Sequence, residues 1–343
     1  MPGAETLAEV SVLRCRDGVR STSADVLAVE VPVALEYNGI SHVVMLASPN
    51  DLEDFALGFS LTEGIIEQPS ELYEAEVEQH DDGLLVHLQI ASERFVALKE
   101  RRRNMTGRTG CGLCGTESLD QVRRVVSPVM HRHPFADHQL MAGMRAMQAL
   151  QPLQQQSGAT HAAAWMDAQG QVVLVREDVG RHNALDKLIG ALVTRRTDLT
   201  EGALLITSRA SYEMVQKAAI MNIGLVAAIS APTSFAVSLA ESAGVTLIGF
   251  MRDHSYVIYT HPERLENRIM DSQQLIKMAN QIGQFFESMP NREEAEKDIA
   301  SHLKRFWDPR MRRVIVASLD NEDAAAMSPI VREALTTHRQ LLA

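Results

Sequence analysis

Between residues 160 and 261 the chain alternates short apolar runs with longer amphipathic segments. Apolar runs of this length predict buried strands, and the amphipathic segments between them predict helices that pack on a sheet. Strands that alternate with helices in this way indicate an α/β sheet covered by helices. The predicted elements follow in chain order: strands 161–166 and 171–177, helix 181–194, strand 203–207, helix 210–222, strand 224–230, helix 234–243, and strands 245–251 and 256–260.

The N-terminal part has a different pattern, which predicts a smaller β-rich region. Residues 27–36 and 40–46 predict a hairpin, because Asn38-Gly39 between them suits a tight turn with positive φ at both central positions. Ser48-Pro49 predicts the start of a helix that ends at Gly64. The remaining predictions in the first half of the chain are strands at 84–90 and 94–98, a loose arm at 1–25, and a linker or surface turn at the Gln-rich residues 151–157.

After about residue 270 the pattern is helical throughout. Leu275, Met278, Ile282 and Phe286 share one helical face, and Pro290 ends that helix. The sequence therefore predicts three regions, which are an N-terminal arm at 1–25, an α/β domain with a β-rich start at 26–265, and a small all-α domain at 271–343.

Composition limits the classes of function. The chain has 343 residues and a formal net charge of -11, whereas proteins that bind nucleic acid through its phosphates usually present a basic face. The sequence carries neither an apolar run long enough to cross a membrane nor a secretory signal pattern. Three cysteines do not make a disulfide framework and fit a reducing compartment. We therefore expect a cytoplasmic protein that binds neither nucleic acid nor membranes.

The loop at 109–115 is the sharpest chemical feature, because it places Cys111 and Cys114 among glycines. A thiolate is the reactive form of cysteine, and the nearby positive charge of Arg108 favours it. Glycines on both sides let the backbone approach a partner. The pattern suits a cysteine that accepts sulfur from one protein and delivers it elsewhere.

Other interpretations of the cysteine pair remain open. The pair is alternatively inert, or a dithiol redox switch, although the extra glycines weaken the expected setting of a helix start after a strand. A zinc site would recruit His131 and His133, whose spacing is shorter than that of zinc-finger histidines. We predict no resident metal.

A second polar motif, at 177–187, follows a predicted strand and opens a helix. In α/β sheets ligands bind outside the carboxyl ends of strands, so Arg181, His182 and Asn183 are candidate binding residues. The alternative is structural, namely a capped helix with its own salt bridges.

Hydroxyl-rich turns at 207–211 and 230–234 follow two later strands. Each places hydroxyls and free backbone N–H groups at a helix N-terminus, which suits phosphate. Each turn alone is weak evidence, because hydroxyl caps occur on most helices. Together with Ser208 and Arg209 they predict an anionic, nucleotide-like ligand at this edge of the sheet.

Five stretches along the chain carry a resemblance to one known family: 57–64, the Cys111 loop, 177–187, 207–209 and 259–263. They occur in family order, and residues from about 25 to 265 resemble the formate dehydrogenase accessory sulfurtransferase family, FdhD. The resemblance implies a fold similar to the cytidine deaminase α/β fold. The His-x-Glu zinc signature is absent from this sequence, so deaminase chemistry is not expected.

The resemblance also implies a function. Family members take persulfide sulfur from a cysteine desulfurase and pass it to the molybdenum cofactor, in its bis-guanine-dinucleotide form, before insertion into formate dehydrogenase. Cys111 would carry the persulfide and Cys114 would assist. A non-catalytic chaperone that binds the cofactor is the alternative. The expected cofactor-binding residues are Phe250, Met251, Arg252, Asp253, His254 and Ser255 from the resemblance, with Arg181, His182, Asn183, Ser208 and Arg209 from the sheet edge.

Three stretches of the C-terminal region carry a second resemblance: 278–282, 306–311 and 328–335. Residues from about 271 to 343 resemble a different family, the delta subunit of NAD-dependent formate dehydrogenases. Both halves of the chain would then serve the same client enzyme, and we expect the tail to hold that client. A homodimer is also expected, since symmetric dimers are common among soluble proteins.

Overall fold

The computed structural model describes residues 5–103, 126–252, 255–265 and 272–342. The chain folds into two units, Met1–Glu266 and Asn267–Ala343. The predicted site residues Cys111, Cys114, Asp253 and His254 lie outside the described residues.

The first unit begins with a hairpin of β1 (Leu7–Arg16) and β2 (Val19–Ala28), which pair antiparallel along their whole length. Asp17 and Gly18 both have positive φ and form the turn. The prediction of a loose arm at 1–25 is therefore wrong. Side chains near the turn are exposed on both strands, so the sequence lacks the apolar alternation that indicates pairing.

The next strands form a sheet in the order β4-β3-β6-β5. Strands β3 and β6 are parallel, and the other two pairs are antiparallel. The predicted Asn38-Gly39 turn joins β3 to β4, with positive φ at both residues. Residues of α1 and α2 complete the core of this sheet, which buries Leu35, Tyr37 and Phe55. The bounds are β3 Val31–Tyr37, β4 Ile40–Ala47, α1 Leu52–Thr62, β5 Leu72–His80, β6 Gly83–Ile90 and α2 Ser92–Arg103.

Local predictions in this region need correction. Residues 94–98 lie in helix α2 and not in a strand, because Phe95 and Leu98 have helical spacing and share the buried face. Helix α1 begins at Leu52 and not at Ser48-Pro49. The N–H group of Ser48 donates to Asp178, and its hydroxyl accepts from Val179. Ser48 therefore binds the end of β8 and does not cap α1.

Strands from the second half of this unit form a six-stranded sheet in the order β12-β11-β10-β9-β7-β8. Strands β9, β10 and β11 are mutually parallel. Strand β7 runs antiparallel to β8 and β9, and β12 runs antiparallel to β11. The bounds are β7 His161–Met166, β8 Val172–Asp178, β9 Ala203–Ile206, β10 Leu225–Ala228, β11 Thr246–Arg252 and β12 Ser255–Ile258.

Helices cover both faces of the six-stranded sheet. Helices α5 (Arg181–Thr194), α6 (Tyr212–Ile220) and α7 (Ser234–Ala243) bury one face, which includes Leu204 and Val226. Helix α3 (Asp137–Ala149) covers the other, which includes Leu205 and Leu225. The side chains of successive strand residues thus point to opposite layers.

The Gln-rich stretch contains a short helix, α4 (Pro152–Ser157), so the prediction of a linker or surface turn there is wrong. The carboxylate of Glu177 accepts hydrogen bonds from the N–H groups of Leu153 and Gln154 at the start of this helix. The partner that stabilises α4 lies on strand β8, which a local reading of the sequence could not connect to it.

The backbones of α1 and α5 touch where the helices cross. A Cβ atom added to Gly58 would lie 1.8 Å from the carbonyl oxygen of Asp186. One added to Gly190 would lie 1.9 Å from the carbonyl oxygen of Asp54. This crossing joins the part of the unit built on the four-stranded sheet to the part built on the six-stranded sheet.

The second unit is helical. It buries apolar residues that include Ile299, Leu303, Val331 and Leu335. None of the helices in the described ranges is long and apolar enough to cross a membrane. The predicted fold class is confirmed: an α/β sheet covered by helices, a β-rich N-terminal part, and an all-α C-terminal part. The bounds are α8 Ser272–Phe286, α9 Arg292–Phe306, α10 Pro309–Ala317, α11 Pro329–Thr337 and α12 Arg339–Leu342.

Candidate functional site

One edge of the six-stranded sheet carries the predicted site residues that the structure describes. The carboxyl ends of β8, β9, β10 and β11 meet at this edge, together with the amino ends of β7 and β12. This is the edge at which α/β sheets bind their ligands. The predicted residues found there are Arg181, His182 and Asn183 after β8, Ser208 and Arg209 after β9, Phe250, Met251 and Arg252 in β11, and Ser255 in β12.

Three helices begin at the same edge. Helices α5, α6 and α7 follow β8, β9 and β10, with Gly180, Ser211 and Thr233 as their N-caps. Thr233 accepts a hydrogen bond from the N–H group of Ala236, whereas Ser211 makes no side-chain cap. Helix N-termini carry partial positive charge and free N–H groups, so this edge favours anions.

Basic side chains gather near the starts of α5 and α6. Nε2 of His182 lies 2.7 Å from Oε2 of Glu213, and this contact with His182 lowers the pKa of Glu213. Burial lowers the pKa of His161, and the charge of Arg181 lowers it further. His161 therefore presents a neutral imidazole beside the guanidinium of Arg181. Sequence reasoning missed His161 and Glu213, because the contacts that bring them here join separate elements.

Asn183 does not face the site. It is 5% exposed, and its Nδ2 donates to the carboxylate of Asp178 and to the carbonyl oxygen of Leu46. Asp178 also pairs with Lys187 at 2.7 Å, and both side chains are fully buried. The structural interpretation of the motif at 177–187 therefore fits its buried members, while Arg181 and His182 remain partly exposed at the edge.

A second buried ion pair lies next to the first in sequence. Nζ of Lys217 is 2.9 Å from Oδ2 of Asp186, and it also donates to the hydroxyl of Thr62 at 2.8 Å and to the carboxylate of Glu63 at 3.0 Å. The attraction of Asp186 holds the pKa of Lys217 above its usual value despite burial. This network connects α1 to α5 and α6. Thr62 and Glu63, which belong to the matching stretch 57–64, therefore have a structural role.

A pocket of about 310 Å³ opens on the α3 face of the sheet edge. Its volume is near the lower end for ligand pockets, so it suits one small group such as a nucleobase or a phosphate. The pocket combines methionine walls with two arginines, Arg145 and Arg252. The candidate site residues predicted from the sequence do not include Met141, Met144 or Arg145. The lining residues are Met141, Met144, Arg145, Gln148, Ile229, Met251 and Arg252.

Phe250 is strained and exposed beside this pocket. Its φ is 52°, and its side chain is 44% exposed. The pairing of β11 with β12 shifts register between Gly249 and Arg252, so Phe250 sits in an irregularity of the β-bulge type. Bulges near sheet edges redirect side chains, and strained backbone collects at functional sites.

The turn after β9 contains one buried and one exposed candidate residue, Ser208 and Arg209. Ser208 is 4% exposed, and its hydroxyl donates to the carbonyl oxygen of Arg209 at 3.1 Å. The side chain of Arg209 is exposed at the edge. Arg209 is thus the member of this turn that a ligand can reach directly.

The zinc alternative depends on His131 and His133. Both rings pack near Phe135, and burial lowers the pKa of His131 to about 4. Within the described ranges, no group of three or more His, Cys, Asp and Glu side chains is placed to hold a metal ion. Cys111 and Cys114 lie outside those ranges.

Two family models match the chain. The FdhD/NarQ family matches residues 28–266, and the family described as the NADH-dependant formate dehydrogenase delta subunit FdsD matches residues 274–335. The two matches follow one another along the chain and cover most of its length.

Individual proteins are similar to about three quarters of this chain. A protein of Cupriavidus necator named sulfur carrier protein FdhD is 57% identical over 257 residues, which cover 75% of this chain and 89% of that protein. One of the same name from Bordetella petrii is 53% identical over 269 residues, which cover 78% and 97%.

A solved structure has a similar fold. It is the crystal structure of a formate dehydrogenase accessory protein from Desulfotalea psychrophila, with a TM-score of 0.60 and 22% identity. The similarity covers 76% of this chain and all of that one.

Proposed function

The chain belongs to the FdhD/NarQ family, and we propose that it is a sulfur carrier in the maturation of formate dehydrogenase. The observation that carries the proposal is the similarity, at 53% and 57% identity over most of their length, to proteins named sulfur carrier protein FdhD. The anion-favouring sheet edge supports it, because the molybdenum cofactor that would receive the sulfur carries phosphates.

In the proposed reaction Cys111 takes sulfur from a cysteine desulfurase. The Cys111 thiolate attacks the terminal sulfur of the desulfurase persulfide, a new S–S bond forms at Cys111, and the desulfurase cysteine leaves as a thiolate. Cys111 then carries the sulfur to the cofactor, and Cys114 assists. Glycines around both cysteines suit this handover between two partners. The chain therefore acts as a sulfurtransferase with a persulfide intermediate.

The proposed substrate that receives the sulfur is the molybdenum cofactor in its bis-guanine-dinucleotide form. Arg181, Arg209 and Arg252 reach solvent at one edge of the sheet, where three helix N-termini also meet. Arginine binds phosphate through paired hydrogen bonds. Phe250 presents an exposed ring on which a guanine can stack. Asp253, His254 and Ser255 continue the same stretch of chain.

Mass spectrometry tests the persulfide. The purified chain is incubated with a cysteine desulfurase and cysteine, and the peptide that contains Cys111 is expected to gain the mass of one sulfur atom. Cys111→Ala should abolish both this gain and the activity of formate dehydrogenase matured in cells with that variant. Cys15→Ala is the matched control, because Cys15 is an exposed free cysteine on β1. An active client from cells that contain only Cys111→Ala would refute the carrier role.

A cofactor-binding chaperone without sulfur chemistry is the second candidate. The basic edge and the methionine-walled pocket favour it, because neither feature includes a cysteine. In that case Cys111→Ala would retain client activity, whereas Arg252→Gln would lose it.

We further propose that the helical unit holds formate dehydrogenase. Its family model is that of a formate dehydrogenase subunit. Phe285 and Phe306 are 75% and 63% exposed, and the ring of Phe306 lies 4.7 Å from that of His302. Phe285→Ser with Phe306→Ser in the full chain should weaken co-purification of formate dehydrogenase, whereas Val44→Ser, at an exposed residue of the first unit, should not. Equal recovery with all variants would exclude these phenylalanines.

The cytoplasm is the proposed compartment, because exchange between thiols and persulfides requires cysteines that stay reduced. The homodimer stays a prediction.

A further inference from the structure

A row of aromatic rings crosses the outside of the helical unit, from α8 to α9. Phe285 and Phe286 lie edge to face with their ring centroids 5.1 Å apart, and the ring of Phe286 is 6.4 Å from that of His302. The ring of His302 lies 4.7 Å from that of Phe306, and the guanidinium carbon of Arg305 lies 5.3 Å from the centre of the Phe306 ring. These are distances of favourable ring contacts, so the aromatic row of Phe285, Phe286, His302 and Phe306 is ordered by its own members.

The helical unit does not use the two ends of this row for its core. Phe285 and Phe306 are 75% and 63% exposed, whereas the core is formed by buried residues such as Ile299 and Leu303. Among the described residues of this unit, Met278 is the other large apolar side chain that is exposed. It lies seven residues before Phe285, on the same face of α8. Exposed apolar side chains that are gathered in this way mark an interaction surface.

The composition of this surface suits a protein partner. Aromatic, methionine and arginine side chains are the types enriched in protein interfaces. The contacts of Phe306 with His302 and Arg305 hold its ring in place, so little side-chain freedom is lost when a partner covers it. Rigid aromatic rings of this kind are the residues that supply most of the binding free energy in an interface.

The family match indicates which surface this row would meet. The match to the FdsD family covers residues 274–335, so it contains all four rings of the aromatic row. A subunit contacts the rest of its enzyme through its own surface, and a second copy of the same fold that docks in the same way fills the same place. Only one of the two can then be bound at a time.

We propose that the aromatic row binds formate dehydrogenase on the surface that the enzyme's own delta subunit covers, so that this chain and the delta subunit exclude each other. The proposal rests on the binding of formate dehydrogenase by the helical unit that is proposed above. It adds an order of events: this chain binds the enzyme before the delta subunit is in place, and the arrival of the delta subunit releases it.

Two preparations of one NADH-dependent formate dehydrogenase test the exclusion, one purified with its delta subunit and one produced without it. Biolayer interferometry measures binding of the full chain to each. The complete enzyme should bind the chain at least about tenfold more weakly than the enzyme without the delta subunit. Delta subunit added to the preformed complex should release the chain. The amount that releases half of it should rise with the concentration of the chain, as mass action requires for two ligands of one surface.

Variants of the aromatic row test the surface itself. Phe285→Ser with Phe306→Ser should weaken binding to the enzyme without the delta subunit at least about tenfold, because two aromatic anchors are lost. Both side chains are exposed, so the variant should fold, which circular dichroism checks. Lys297→Gln is the matched control and should bind as the unaltered chain does. Lys297 is exposed on α9, nine residues before Phe306 and about half a turn around the helix from it.

The proposal is overturned if the chain binds the complete enzyme as tightly as the enzyme without the delta subunit, or if it stays bound while the delta subunit saturates the enzyme. It is also overturned if the double phenylalanine variant binds normally, or if Lys297→Gln is as damaging. In each of these cases the binding of formate dehydrogenase itself stands. Binding to neither preparation would refute that function together with the exclusion. Persulfide formation on Cys111, measured on the same samples, reports separately on the sulfur-carrier role.

Discussion

Asp178 and Lys187 form an ion pair without any exposed surface, with Oδ2 of the aspartate 2.7 Å from Nζ of the lysine. Ser48 completes the pair, since its carbonyl oxygen accepts from Nζ and its N–H group donates to Oδ2. The end of β8, the first turns of α5 and the segment after β4 are thereby joined at one point. Burial lowers the pKa of Lys187, and the charge of Asp178 opposes that shift.

Removal of one member of this pair should destabilise the fold strongly. Lys187→Met leaves the Asp178 carboxylate buried without its countercharge, which costs about 3–5 kcal/mol in the free energy of unfolding. The double variant Asp178→Asn with Lys187→Met should cost less than the single one, because no unpaired charge remains. Urea unfolding measures both. Arg14→Met is the control, because its ion pair with Asp25 is exposed and is worth at most about 1 kcal/mol. A double variant less stable than Lys187→Met would contradict this account.

The crossing of α1 and α5 should not tolerate a methyl group. Gly58→Ala and Gly190→Ala would drive Cβ into backbone carbonyl groups, and we expect each to lower the free energy of unfolding by about 1–3 kcal/mol or more. Gly143→Ala on α3 is the matched control. Its new Cβ would meet the side chains of Met166 and Leu205, which can shift. Thermal unfolding ranks the three variants, and a Gly143→Ala variant as unstable as the other two would argue against a special backbone contact.

Because Phe250 has a positive φ, glycine at this position should give a more stable protein than alanine, which is the reverse of the usual order in a strand. Glycine adopts this backbone region without the strain of a side chain, so Phe250→Gly should be more stable than Phe250→Ala by about 1 kcal/mol. Val257, an exposed residue of the neighbouring strand β12, should show the ordinary order, with alanine more stable than glycine. Both Phe250 variants should bind GDP more weakly, since each lacks the ring. GDP binding that equals that of the unaltered chain would remove Phe250 from the site.

His131 should make the first unit sensitive to acid. Burial lowers its pKa from 6.5 to about 4, so the unfolded chain takes up the proton first as the pH falls. The associated stability is complete above pH 6.5 and is lost as the pH falls towards about 4. The loss should be about 1–2 kcal/mol, because solvent screens part of the ring.

Urea unfolding at several pH values measures this contribution. The His131→Gln variant should lose less stability over that pH range than the unaltered chain. The exposed imidazole of His138 provides the control, since His138→Gln should follow the unaltered chain. Identical pH profiles for all three proteins would mean that His131 titrates as it does in the unfolded chain.

Local sequence patterns predicted those elements whose cause is local. The Asn38-Gly39 turn and the alternation of strands and helices after residue 160 are both found in the structure. The Asp17-Gly18 turn carried the same kind of signal, but the exposed strands beside it hid the hairpin. Residues 94–98 lie in a helix although they predict a strand, because a short apolar run does not distinguish the two.

The candidate site divides in the same way. Arg181, Ser208, Arg209 and Arg252 could be placed at one edge from the sequence, because each comes at the end of a strand or just after one. The sequence does not show that Asn183 is buried while Arg181 and His182 are partly exposed. In the folded chain the amide of Asn183 donates to Asp178. The methionine-walled pocket also needed the fold, since α3 precedes β10 and β11 by many residues.

Patterns among neighbouring positions are enough to predict the fold class, the helical C-terminal part and the resemblance to a sulfur-carrier family, because periodicity, turn residues and motifs are local properties of the sequence. Which charged residues form buried pairs and which are exposed at the edge depends on the packing of the folded chain. Lys217 pairs with Asp186 and donates to the hydroxyl of Thr62. Lys187 pairs with Asp178 and donates to the carbonyl oxygen of Ser48. Desolvation and hydrogen bonding depend on what else is packed within a few ångströms, and that is fixed only when distant segments meet.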